Sequence, residues 1–155
     1  MEYGTIEREL HIDASPEVVF DVISSPEHIR DWWSAETGIE ARAGSTSDLT
    51  WRDEASGSAR VVPISVIEAE PPHLFKFRWT QPPGEEPTQS NSLLVTFRLS
   101  PSNSGTLLRF TEAGFRERGW AIAELEQAYQ DHASAWDSFL PRIADRAARE
   151  MPAQS

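Results

Sequence analysis

The chain has 155 residues, with 25 Asp and Glu against 14 Lys and Arg, a formal charge of −11, and no cysteine. That charge sign repels a phosphate backbone, and the basic residues form no run, so no nucleic-acid partner is expected. The missing thiols exclude disulfides, Cys-ligated metal and thiol nucleophiles, while 39% hydrophobic and 10% aromatic residues exclude a disordered chain.

The length suits one domain over residues 1–150, followed by a flexible tail at 151–155. The N-terminal residues alternate polar with apolar and contain no apolar h-region, and no stretch reaches the ~20 apolar residues of a membrane span. A cytoplasmic protein without membrane contact is the expectation.

Residues 3–13 carry Ile6, Leu10 and Ile12 on one side and Glu7, Glu9 and His11 on the other, the period of a half-buried strand. Arg8 falls on the apolar side. Ser15-Pro16 supplies a cap and a ring whose φ suits a first helical position, and Ser25-Pro26 repeats the signal, so two short helices follow. From 36 to 115, breakers such as Gly44, Gly57, Pro71-Pro72 and Pro101 divide strands from turns. Residues 74–80 place Phe75, Phe77 and Trp79 opposite Lys76 and Arg78, and residues 93–99 place Leu93, Val95, Phe97 and Leu99 together. Residues 106–113 set Leu108 and Phe110 against Arg109 and Thr111, which leaves Glu112 at inward parity; 48–53 and 59–69 are weaker strands. Asn103-Ser104-Gly105 predicts a hairpin, and Pro82-Pro83-Gly84-Glu85-Glu86-Pro87 a solvated loop or a gate. Past Gly119 the period changes. Leu125, Tyr129, His132, Trp136, Leu140, Ile143 and Ala147 recur at steps of three and four, a helix of roughly thirty residues. Its acidic start and its basic end at Arg142, Arg146 and Arg149 follow the order the helix dipole favours.

One strand, two short helices, a run of strands and a long terminal helix define an α+β domain: a curved antiparallel sheet of about six to seven strands gripping the last helix. A twisted sheet with its rings on one face curls around something apolar, and a straight helix inside a curved sheet leaves a cavity between them.

Four segments in order carry a family resemblance: I-D-A-S-P-E-V-V-F-D at 12–21, W-W at 32–33, V-I-E-A-E-P-P-H-L-F-K-F-R-W at 66–79 and H-A-S-A-W-D-S-F-L at 132–140. The chain resembles the START-like or SRPBCC superfamily. Within it, the closest likeness is to proteins named after the activator of heat-shock protein 90 ATPase. The resemblance implies a helix-grip fold and a choice of roles that includes lipid carriers, hormone receptors, aromatic-polyketide cyclases and co-chaperone domains.

The chemistry in the residues is sparse. His11, His28, His73 and His132 include no i,i+3 or i,i+4 pair, so no metal site is expected; no nucleotide-binding glycine motif or G-x-S-x-G elbow occurs, and no cofactor is expected. The candidate ligand-binding set is Phe75, Phe77, Trp79, Phe97, Phe110, Tyr129, His132 and Trp136, with Trp32 and Trp33 at the cavity rim, one ring packed inward and the other partly exposed. His132 reads either as a packed histidine with one hydrogen bond or as a polar anchor and acid–base group; no partner for it is visible, and Glu112 and Arg8 are expected to be exposed. The leading expectation is a carrier or sensor of a small hydrophobic molecule. The alternatives are a cyclase or aromatase using His132 and a co-chaperone that docks on a chaperone.

Overall fold

The computed structural model describes residues 4–53 and 55–151. Residues 1–3, and the tail expected at 151–155 from 152 onward, lie outside the described residues.

Strand β1 (Thr5–Ile12) leads into helices α1 (Pro16–Ser24) and α2 (Pro26–Trp32). Ser15 Oγ accepts the Val18 amide to cap α1, and Ser25 ends α1 while opening α2. The chain then runs through β2 (Thr46–Arg52), β3 (Ala59–Glu70), β4 (Leu74–Trp79), β5 (Leu93–Ser102) and β6 (Gly105–Ala113) before the long helix α3 (Ile122–Glu150). The six strands form one antiparallel sheet in the order β1-β6-β5-β4-β3-β2. The two short helices therefore carry the chain from one sheet edge to the other, and the meander returns strand by strand to β1. The expected α+β class and helix order hold.

Alternation decides which face is buried. Phe75, Phe77 and Trp79 of β4, Leu93, Val95, Phe97 and Leu99 of β5, and Leu108 and Phe110 of β6 all face the helices and are buried, as their period predicts. α3 buries its stripe unevenly. Trp136, Leu140, Ile143 and Ala147 are buried, whereas Leu125, Tyr129 and His132 in the first half are only partly covered.

Polar tethers hold α3 in place. Arg8, expected to be exposed, is partly covered and reaches from β1 to Asp137 on α3 at 2.7 Å; hydrogen bonding to that carboxylate holds its guanidinium even more firmly protonated. At the other end, the buried His28 contacts Asp21 through Nε2 at 3.0 Å and accepts from Arg146 Nε through Nδ1 at 3.0 Å. His28 is thus a joint between α1, α2 and α3.

The hairpin between β5 and β6 turns through Asn103, which takes a positive φ of 54°. Two residues on, glycine is required for a different reason: a Cβ at Gly105 would lie 2.2 Å from the Ile12 carbonyl oxygen of β1. Gly105→Ala is expected to push β1 away from β6 and cost about 2 kcal/mol, a fall in Tm of about 4–8 °C by thermal denaturation.

Candidate functional site

α2 ends in two consecutive tryptophans. Trp32 turns into the core and donates its indole N–H to the Val22 carbonyl at 2.8 Å. Trp33 lies parallel to it, ring centroids 5.1 Å apart and planes within 6°. Their exposures of 1% and 3% overturn the expected split into one inward and one partly exposed ring. The reason lies at the helix end: Trp33 is the C-cap, and Ser34 turns the chain away at a φ of 58°, so both rings fold under the same turn. Trp33 then forms a hub, with Trp51, Trp79 and Trp136 at 5.6, 5.1 and 5.3 Å. Trp51 donates to the Trp33 carbonyl at 2.8 Å, which joins β2 to this hub.

Beside it is a cleft of about 630 Å³ lined by Trp33, Trp51, Trp79, Trp120 and Trp136, five of the six tryptophans, with His132, Ala128, Ala135, Phe139 and Leu93. Its polar lining consists of Arg60, Thr80, Arg118, Asp131 and His132. The first half of α3 forms one wall, which is why that half of the stripe is less buried than the second. Arg118 donates to Thr80 Oγ1 at 3.2 Å and lies 4.8 Å from the Trp120 ring; Arg60 lies 5.8 Å from the Trp51 ring.

Behind the cleft wall lies a carboxylate. Glu112 of β6 has 0% exposure, against the expectation that it faces solvent. Its Oε2 accepts from Trp79 Nε1 at 2.7 Å, and its Oε1 accepts from Trp136 Nε1 at 3.0 Å and His132 Nδ1 at 2.8 Å. Strand parity aims Glu112 inward, and three N–H donors from β4 and α3 replace the water it gives up. His132 therefore has a partner that its sequence neighbourhood did not reveal. A carboxylate only accepts, so the Nδ1 proton belongs to this bond, and Nε2 on the other side of the ring makes no hydrogen bond among the described residues. The His132 side chain is 21% exposed.

Of the residues singled out from sequence, Trp33, Trp79, His132 and Trp136 line this cleft. Phe75, Phe77, Phe97, Phe110 and Trp32 do not; they are packed in the core behind it, because the helices cover that part of the sheet. Tyr129 also lies outside the lining. Its hydroxyl donates to the Thr5 carbonyl at 3.1 Å, and its ring meets Phe115 edge-on. The 82–87 loop borders a separate depression with β2 and β3 and does not gate the cleft. Sequence reasoning missed Trp51, Arg60, Arg118 and Trp120. Trp51 had a signal, its two-residue offset from the buried Leu49; the others depend on tertiary placement.

A sheet gripping a C-terminal helix, with a cleft between them, places the molecule in the helix-grip class of the START-like or SRPBCC superfamily. The model of the family described as "Activator of Hsp90 ATPase homolog 1-like protein" matches residues 13–148, and the chain belongs to that family. Protein MLL2253 from Mesorhizobium loti shares the fold with a TM-score of 0.74 at 20% identity, over 96% of this chain and 99% of that one. The Aha1 dimer from Colwellia psychrerythraea gives 0.69 at 20% identity, over 93% and 96%. DynU16, from the dynemicin biosynthetic locus, gives 0.66 at 19% identity, over 92% of this chain and 46% of that one. No curated protein sequence matches the chain. No helix among the described residues is long and apolar enough to cross a membrane.

Glu112→Gln replaces one accepting oxygen with an NH₂ group that faces N–H donors. The expected cost is about 3 kcal/mol, a fall in Tm of about 6–12 °C, with altered near-ultraviolet tryptophan dichroism and a retained far-ultraviolet spectrum.

Proposed function

We propose that the cleft binds a flat, apolar small molecule, as a carrier or sensor would. The observation that carries this reading is the convergence of five tryptophans on one recess of about 630 Å³, within the size range of small-molecule sites. Burying about 300 Å² of apolar ligand surface is worth about 7 kcal/mol before association costs, and polar contacts at the rim add to it. A chaperone partner is less well supported by this chain's own surface. Among the described residues, the exposed large hydrophobic side chains are Val61, Ile67 and Ile122, while the tryptophans are recessed. The neutral fluorophore N-phenyl-1-naphthylamine is expected to bind saturably, with a Kd of about 1–50 μM. Ala135→Trp, which fills the cleft from the α3 wall, is expected to abolish that binding without changing the far-ultraviolet spectrum. Absence of saturable binding to the folded wild type would refute the reading.

The Glu112–His132 pair favours a second, cyclase-like reading. With Nδ1 committed to Glu112, a neutral imidazole keeps its lone pair on Nε2 beside the cleft, where it can accept a proton from a bound carbon acid. The generic test substrate is 5-nitrobenzisoxazole. Nε2 takes the C3 proton, the N–O bond breaks, and its electron pair leaves on the product 2-cyano-4-nitrophenolate. His132→Gln is expected to lower this elimination about a hundredfold while leaving N-phenyl-1-naphthylamine affinity within about twofold. Equal rates in the two proteins would leave the binding reading alone.

A further inference from the structure

We infer that the molecule this cleft takes up carries an anionic group, of the aromatic carboxylate class, and that Arg118 with Arg60 receives it. The inference rests on the cleft being a binding site, and it concerns what that site selects.

The charge pattern argues for it. In a chain of net charge −11, Arg8, Arg42, Arg52, Arg109, Arg146 and Arg149 each lie within 4.0 Å of a carboxylate oxygen. The two arginines of the cleft, like Arg30, Arg78, Arg98, Arg116 and Arg142, have no such neighbour among the described residues, and of these seven only Arg60 and Arg118 line the tryptophan recess. Neither acid of the site pairs with them: Glu112 is sealed behind the wall by its three donors, and Asp131, the acidic side chain in the lining, accepts from Gln127 at 2.8 Å and lies within 4.0 Å of neither guanidinium.

Arg118 is also held in place. One Nη1 hydrogen bond to Thr80 and the face of Trp120 fix the guanidinium at the cleft, and its remaining N–H groups make no hydrogen bond among the described residues. A guanidinium with free donors beside a wall of indoles matches a ligand with an aromatic body and a planar anion at its edge. Arg60, more exposed and lying over Trp51, adds positive potential at the rim.

A matched pair of probes separates charge from shape: 8-anilinonaphthalene-1-sulfonate and N-phenyl-1-naphthylamine have the same ring body, with and without a sulfonate. Fluorescence titration of the wild-type protein is expected to show the sulfonate binding about tenfold more tightly, with the difference shrinking as salt is raised. Arg118→Gln is expected to weaken the sulfonate about tenfold and leave the neutral probe within about twofold, and Arg60→Gln to weaken the sulfonate about threefold, as suits an exposed charge. Ala135→Trp is expected to remove both. Equal wild-type affinities for the two probes, or an Arg118→Gln effect shared by both, would overturn the anion inference while leaving the cleft intact as a binding site. Failure of both probes to bind the folded wild type would remove the binding reading and this inference with it.

Discussion

The burial of the Glu112 carboxylate constrains everything around the cleft. An acceptor-only group with no exposed surface survives in an apolar interior only if donors surround it, and here they are two indoles and one imidazole drawn from β4 and α3. Three rings are thereby held at fixed angles to a single strand position. The helix cannot rotate or slide along the sheet without stranding a charge, so the wall of the cleft and its chemistry have one common anchor.

The long helix divides its labour in consequence. Its second half supplies ordinary core through Leu140, Ile143 and Ala147, pinned by Arg146 to the buried His28. Its first half stands off the sheet, and the space left over is the tryptophan-lined recess. Between the halves, Trp136 belongs to both: it meets Trp33, Phe110 and Phe97 in the core and lines the cleft with the same ring system. Binding and stability are therefore coupled at this position by shared atoms. The Arg8–Asp137 pair, one residue further along the helix, ties the same region to the edge strand.

Much of the architecture was legible because it rests on periodicity. Strand alternation identified the buried faces of β4, β5 and β6, the Ser-Pro repeats marked the two short helices, and steps of three and four marked α3. The site was legible only in part. Parity told that Phe75, Phe77, Phe97 and Phe110 point inward, but inward includes both a sealed core and an open recess, and the cover provided by α1, α2 and α3 decides between them. Neighbouring positions suggested that Trp32 and Trp33 diverge, yet a helix terminus followed by a left-handed residue lets both rings enter one layer.

What the linear order of residues determined on its own was the kind and sequence of elements, the apolar face of each, and the prospect of a ring-lined space under the last helix. These follow from local spacing, which each segment carries within itself. Which rings line the recess, that Glu112 closes on His132 across 20 positions of chain, and that Arg60 and Arg118 meet at one cleft were decided by the tertiary structure. Such partners come from separate strands and loops, and only the register of the sheet and the resting place of α3 bring them within hydrogen-bonding range.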